Sequence, residues 1–139
     1  MCDETSWPYN ITKFKSKPSV KCYTAALKDV VSKYESLLSV TSYKNVLASG
    51  YPFVFGFTVY ESFESDIVTR TGIVPMPAKY EQVLGGHAVM AVGYNDAKKW
   101  FIVRNSWGPG WGDKGYFYLP YAYFTPGLTS DFWVIYTVK

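Results

Sequence analysis

A chain of 139 residues is long enough for one domain with a hydrophobic core. Apolar residues make up 48% and charged residues 18%, which argues against long disordered tails, and no apolar run approaches the ~20 residues of a membrane-spanning helix. The net charge of +3 is mild. Lys13, Lys15, Lys17 and Lys21 lie near Phe14 and Tyr23, but Pro8 and Pro18 break the stretch and no recognition helix accompanies it, so it reads as a solvated loop and not as a nucleic-acid surface.

The first ten residues lack a cationic start and an apolar core, so they do not read as a signal peptide. Asn10-Ile11-Thr12 fits the N-glycosylation triplet, which has meaning only in a secreted chain. Residues 1–28 carry prolines and no sustained period, and are expected to be irregular. Residues 30–38 read as a strand. Residues 39–49 read as the one short helix, with Val40, Tyr43, Val46 and Leu47 at helical spacing, Thr41 or Ser42 as N-cap and Gly50 past the end. Residues 53–60 alternate as a strand with Phe53, Phe55, Phe57 and Val59 on one face and Val54, Gly56, Thr58 and Tyr60 on the other. That imbalance suits a strand lying between a core and a cleft, or one buried on both sides. Residues 61–84 form a connection with Gly72, Pro75 and Pro77. Strands are expected at 87–94, 100–106, 115–119 and 131–137, which makes the fold class α+β with an antiparallel sheet.

His87 is the one histidine, and the two cysteines are Cys2 and Cys22. This set cannot build a zinc site with three or four close ligands, so no metal or other cofactor is expected. The cysteines are able to pair with each other, pair outside the chain, or stay as thiols. The strands at 87–94 and 100–106, joined by the polar residues 95–99, predict a hairpin. If the turn is centred on Asp96, facing residues have indices summing to 192, which pairs His87 with Asn105, Val89 with Val103 and Ala91 with Phe101; a bulge at Gly93 would move this register. A carboxamide beside an imidazole accepts a hydrogen bond from one ring nitrogen and leaves the other to take a proton from a nucleophile.

After Asn105 the chain continues Ser106-Trp107-Gly108-Pro109-Gly110-Trp111-Gly112 and then Gly115-Tyr116-Phe117-Tyr118-Leu119-Pro120. With the stretch from His87 to Tyr94 upstream, and with Trp7-Pro8-Tyr9 and the strand at 51–60, this resembles the papain-like cysteine peptidases, C-terminal half only. The resemblance is most specific over residues 85–119. It implies the barrel-like right-hand domain of that fold over residues 1–139, with 1–29 as an irregular lead-in. It implies His87 as general base and partner of a thiolate, Asn105 as the residue orienting its ring, and Trp107 packed over their hydrogen bond, while Trp111 is expected to be core. It places Gly56, Gly85 and Gly86 at the pocket for a substrate side chain, leaving it roomy enough for a bulky apolar group.

The resemblance also implies a nucleophilic cysteine roughly 130–150 residues upstream of the histidine and asparagine, on a helix, preceded by an oxyanion-hole glutamine. Neither Cys2 nor Cys22 fits by spacing. Asp3 and Glu4 beside Cys2 oppose thiolate formation. Gln82, just before His87, does not match the glutamine. The expected partners are a peptide or protein substrate, an N-terminal domain carrying the cysteine, and further copies of the chain meeting through the exposed interdomain face. The chain is then a C-terminal fragment of a peptidase, one chain of a two-chain enzyme, or a non-catalytic remnant that binds peptides.

Overall fold

The computed structural model describes residues 2–138. It contains strands β1 (Val31–Ser36), β2 (Phe53–Tyr60), β3 (Val83–Asn95), β4 (Trp100–Arg104), β5 (Tyr116–Pro120) and β6 (Thr129–Val138), and helices α1 (Val20–Ala26), α2 (Val40–Ala48) and α3 (Asp66–Thr71). The strands form one sheet in the order β1-β6-β2-β3-β4-β5. The sheet is open, with β1 and β5 as its edges, and not closed into a barrel. The chain divides into two compact units, Met1–Tyr34 with Ile135–Lys139, and Glu35–Val134.

In the larger unit, the expected alternation in β2 is realised. Phe53, Phe55, Phe57 and Val59 are buried, while Val54 is exposed and Gly56, Thr58 and Tyr60 are half-buried, so the strand lies between a core and an open face. The core is built from rings. Phe132 stacks on Tyr43 with centroids 4.3 Å apart and on Phe55 at 5.5 Å, and Phe63 meets Phe57, Trp111 and Phe117 at 5.0–5.4 Å. Such offset and edge contacts add roughly 0.5–1.5 kcal/mol each beyond the area they bury. Lys44 pairs with Asp96, tying α2 to the β3–β4 turn. The Lys44 ammonium, and then the Tyr121 hydroxyl, hold the Asp96 carboxyl below its usual range.

Helix α2 falls within the expected residues 39–49, but its N-cap lies before the Thr41 or Ser42 that the sequence suggests. Ser39 is its N-cap, in a reciprocal capping box with Ser42. Two further helices appear where none was expected. Ser65 caps α3 inside the 61–84 connection, and Ser19 caps α1 inside the lead-in. Both are shorter than the windows over which helical periodicity is read, which is why the pattern was silent. Strand β3 starts at Val83, four residues before His87, because residues 83–86 continue pairing with β2 around a bulge at Val59/Tyr60.

The smaller unit is thinly packed: among its described residues, Cys22 is the one buried side chain. Its order rests on local polar bonds. Asn10 Oδ1 accepts from the Thr12 N–H and hydroxyl, and Asp3 accepts from Thr5 and Ser6.

Candidate active site

The β3–β4 hairpin does not have the expected register. Its ladder pairs Asn95 with Trp100, Tyr94 with Phe101 and Gly93 with Ile102, then passes a bulge and pairs Ala91 with Val103 and Met90 with Arg104. Beyond the bulge the indices sum to 194, not 192, so His87 and Asn105 are offset by two positions and not directly opposed. The turn lies later than Asp96 because the chain reverses through residues 96–99. The bulge next to Gly93 then takes back one position. The net slip is even, and an even slip leaves every side chain on its face.

Both residues therefore point to the core side, and they meet. His87 Nε2 lies 2.9 Å from Asn105 Oδ1, and the same oxygen accepts the Ser106 N–H at 2.8 Å. The backbone donor fixes which end of the carboxamide faces the ring. Oxygen only accepts, so Nε2 donates and carries the proton in the neutral imidazole, which leaves Nδ1 as the basic nitrogen. Asn105 is buried and His87 is half-buried. Asn105 Nδ2 is buried with no acceptor among the described residues, a cost of about 1–3 kcal/mol carried at this position.

Aromatic rings wall the pair. Trp107 stacks on the His87 ring with centroids 5.2 Å apart and planes 21° from parallel, and Phe57, opposite His87 in β2, tilts against it at 5.9 Å. Trp107 rests edge-on against Phe63 and Trp111. Trp111 itself is buried, as expected of a core residue.

The loop after β4 is locked by backbone bonds. Asn105 N–H donates to Gly115 O at 2.9 Å, Gly115 N–H to Trp111 O at 2.8 Å, and Gly112 N–H to Thr69 O of α3 at 2.7 Å. Gly112 has φ +62°, and a Cβ there would sit 2.4 Å from the Tyr116 carbonyl oxygen, so only glycine fits.

Next to His87, a pocket of about 430 Å³ is lined by Gly56, Thr58, Gly86, Ala88, Gly127, Thr129 and Ser130, together with Phe57 and His87. The structure thus brings Gly56 and Gly86 to one cavity beside the imidazole. Gly85 is not part of its lining. Gly127, Thr129 and Ser130 went unrecognised in the sequence, because β6 was expected to begin two residues later and its partner strand was unknown; β2 pairs with it through Gly56↔Ser130 and Phe57↔Thr129. A second cavity of about 400 Å³ is lined by Val54, Ala88, Val89, Met90, Arg104, Asn105 and Ser106.

Cys22 is buried in the smaller unit, where its sulfur accepts from the Ser19 hydroxyl at 3.3 Å and lies 3.8 Å from Ser6 O. Cys2 is half-buried, and its thiol is held above the usual range, first by its hydrogen bond to Cys22. The backbone carbonyl of Gln82 accepts the Glu61 N–H. No cluster of three or more metal-ligating side chains exists among the described residues.

The model of the papain family cysteine proteases matches residues 1–130. The chain belongs to the papain family. It is 48% identical to an uncharacterized peptidase C1-like protein of Acanthamoeba polyphaga mimivirus, over 97% of this chain and 47% of that one. It is 31% identical to pro-cathepsin H of Bos taurus, over 82% of this chain and 33% of that one. Among solved structures, xylellain, a cysteine protease from Xylella fastidiosa, superposes with a TM-score of 0.90 at 38% identity, covering 99% of this chain and 57% of its own. The chain thus spans about half the length, or less, of these papain-family relatives.

Proposed function

We propose that this chain is the C-terminal, right-hand part of a cysteine-type endopeptidase, supplying the catalytic histidine and asparagine to a cysteine carried by another segment. The hydrogen bond of 2.9 Å between His87 Nε2 and Asn105 Oδ1 carries this reading. With Nε2 committed to the carboxamide, Nδ1 is the nitrogen that takes the thiol proton. The thiolate adds to the scissile carbonyl carbon, and Nδ1–H returns the proton to the departing amine. Water then releases the acyl group with the same nitrogen as base. Trp107 keeps water from competing for the His87–Asn105 bond.

The pocket at Gly56 and Gly86 receives a bulky apolar side chain of an extended peptide. No cofactor enters the chemistry. The open face bearing Val54, Ala88, Met90 and Arg104 meets the domain that brings the cysteine, so the chain by itself is inactive and prone to self-association. Cys2, with its proton held tightly, does not have the surroundings of a nucleophile, and Cys22 is buried away from any substrate, although the Ser19 hydroxyl lowers its thiol pKa.

A peptidyl thiol-reactive inhibitor tests this by mass spectrometry on the chain alone and on the chain extended with its upstream coding region. An adduct only in the extended protein, on an upstream cysteine and lost in His87→Ala, is expected. An adduct on Cys2 or Cys22 in the chain alone overturns the assignment of the nucleophile. No adduct in either form favours a peptide-binding remnant.

A further inference from the structure

Asn10-Ile11-Thr12 is the one Asn-X-Ser/Thr triplet in the chain, and it takes no part in the peptidase chemistry. All three residues are exposed, at the entry to the 3-10 helix Ile11–Lys13. Asn10 Oδ1 accepts the Thr12 N–H at 3.0 Å and the Thr12 hydroxyl at 2.7 Å, so both bonds fall on the oxygen and leave the amide nitrogen Nδ2 outside them. Two donors on the oxygen favour the imidate form of the carboxamide, in which charge gathers on oxygen and the nitrogen gives up a proton and becomes nucleophilic.

The triplet also stands among apolar side chains that face water. Tyr9, Ile11 and Phe14 are 81%, 68% and 75% exposed. With Asn10 they line a hollow of about 450 Å³ whose walls also include Trp7 and Pro8. Large apolar side chains exposed side by side mark a surface that something covers. A sugar tethered at Asn10 suits it, because the C–H-rich face of a pyranose ring packs on the electron-rich face of an aromatic ring while its hydroxyls stay in water.

We infer that Asn10 is an acceptor for N-linked glycosylation, and that the first sugar of the attached oligosaccharide lies over Tyr9, Ile11 and Phe14 and shields them. The donor is an oligosaccharide carried on a lipid pyrophosphate, met where the chain enters a secretory lumen. Nδ2 attacks the anomeric carbon of the donor's first sugar. The N–C bond forms, the C–O bond to the pyrophosphate breaks, and its electron pair leaves with the lipid pyrophosphate. One Nδ2 proton passes to a base of the transferring enzyme, and no group is oxidised or reduced. Thr12 supplies the hydroxyl that the triplet needs, and Ile11 leaves the middle position free of proline.

The test directs the chain, extended with its upstream coding region, into the secretory pathway of a eukaryotic cell behind a cleavable leader, and collects cells and medium together. Peptide N-glycosidase in heavy-oxygen water then turns each glycosylated asparagine into a labelled aspartate, read by mass spectrometry of the tryptic peptide ending at Lys13. The label is expected at position 10 in the parent and in Thr12→Ser, and is lost in Thr12→Ala, which keeps the asparagine. None of these readings needs a variant to fold. For the shielding, the glycan is removed from the folded parent, and the fluorescence of a dye that binds apolar surface is expected to rise. The rise is expected to be lost when Tyr9, Ile11 and Phe14 are all changed to serine, which preserves the triplet. An unlabelled Asn10 in the extended protein overturns the acceptor site, even where the 139-residue chain alone is labelled, because the upstream segment then covers it. A labelled Asn10 with unchanged dye fluorescence overturns the shielding.

Discussion

Replacing Gly112 by alanine isolates the constraint that keeps Trp107 over His87. Gly108 and Gly112 lie in the same loop, and both have left-handed backbone, with φ +84° and +62°. At Gly108 an added Cβ meets nothing within 4 Å, so Gly108→Ala is charged only the conformational cost of a non-glycine residue there, about 1–2 kcal/mol. At Gly112 the same Cβ lands 2.4 Å from the Tyr116 carbonyl oxygen, 3.4 Å from its carbon and 3.5 Å from Gly72 Cα. All three are backbone atoms of neighbouring segments, so no rotamer change relieves the clash. The loop must move away from β5 and α3, losing the 2.7 Å bond from Gly112 N–H to Thr69 O and loosening the seat of Trp111. The loss of a backbone bond and of core contacts adds roughly 2–3 kcal/mol to the conformational cost. Gly112→Ala is therefore expected to be destabilised by roughly 3–5 kcal/mol and Gly108→Ala by about 1–2 kcal/mol, measured by urea unfolding followed by tryptophan fluorescence. If the two variants unfold within about 0.5 kcal/mol of each other, the steric argument is wrong, and the loop is not clamped as described.

Asn105→Ala removes two accepted hydrogen bonds but also the buried, unpartnered Nδ2, so its stability is expected within about 1 kcal/mol of the parent, while the His87 Nε2–H loses its protection from solvent exchange by NMR. A loss above about 3 kcal/mol would mean that Nδ2 is satisfied after all. Gly56→Leu places a Cβ at an ordinary 3.6 Å from Ser130 Oγ and the rest of the side chain in the pocket. In the complete peptidase it is expected to lower kcat/KM for bulky apolar residues at that subsite by roughly 10–200-fold relative to small ones, and an unchanged preference would remove this pocket from the substrate site. Glu81 accepts from the Ser62 and Ala78 backbones, and its bonds to Ser62 and then Ala78 hold its carboxyl below the ordinary range. A lowered folded pKa gives stability that is present above the unfolded pKa of about 4.5 and is lost as pH falls through the lower folded value. Exchange of the Ser62 and Ala78 amides should accelerate below about pH 4.5 in the parent, and Glu81→Gln should flatten that dependence; a profile equally steep in both would place the titrating group elsewhere.

The sequence made the candidate site more legible than the fold around it. The run from Asn105 to Gly112 and the strand from His87 carry unusual residues at fixed spacing, and their chemistry follows from residue type alone. The alternation in residues 53–60 gave the buried face of β2 correctly because a period of two needs only a few residues to declare itself. Helices α1 and α3 were invisible for the opposite reason: each is held by one serine cap and has a single buried side chain, Cys22 or Val68, so there is no apolar stripe to read. The lining contributed by Gly127, Thr129 and Ser130 depends on which strands become neighbours. That β6 lies next to β2 is a long-range fact that no local pattern encodes.

The register of the hairpin shows why the slip matters for chemistry. In a directly opposed pair, with Cβ atoms about 4.5–5.5 Å apart, the carboxamide would be crowded against the near edge of the imidazole and would meet Nδ1. An offset of two positions lengthens that separation to about 7–8 Å, a distance that the ring spans only through its far nitrogen. The observed 2.9 Å contact is made by Nε2, as the offset requires. The nitrogen left to act as base is then the one nearest the backbone of β3, on the strand that also lines the pocket through Gly86 and Ala88. A residue inserted into or deleted from the β3–β4 turn, with the bulge retained, moves the register by one and turns Asn105 to the opposite face. A two-residue insertion keeps the face but changes the offset, and with it the nitrogen that Asn105 meets. Both inserted variants are expected to lose inhibitor labelling in the complete peptidase, the first with Nε2–H exchange fully unprotected.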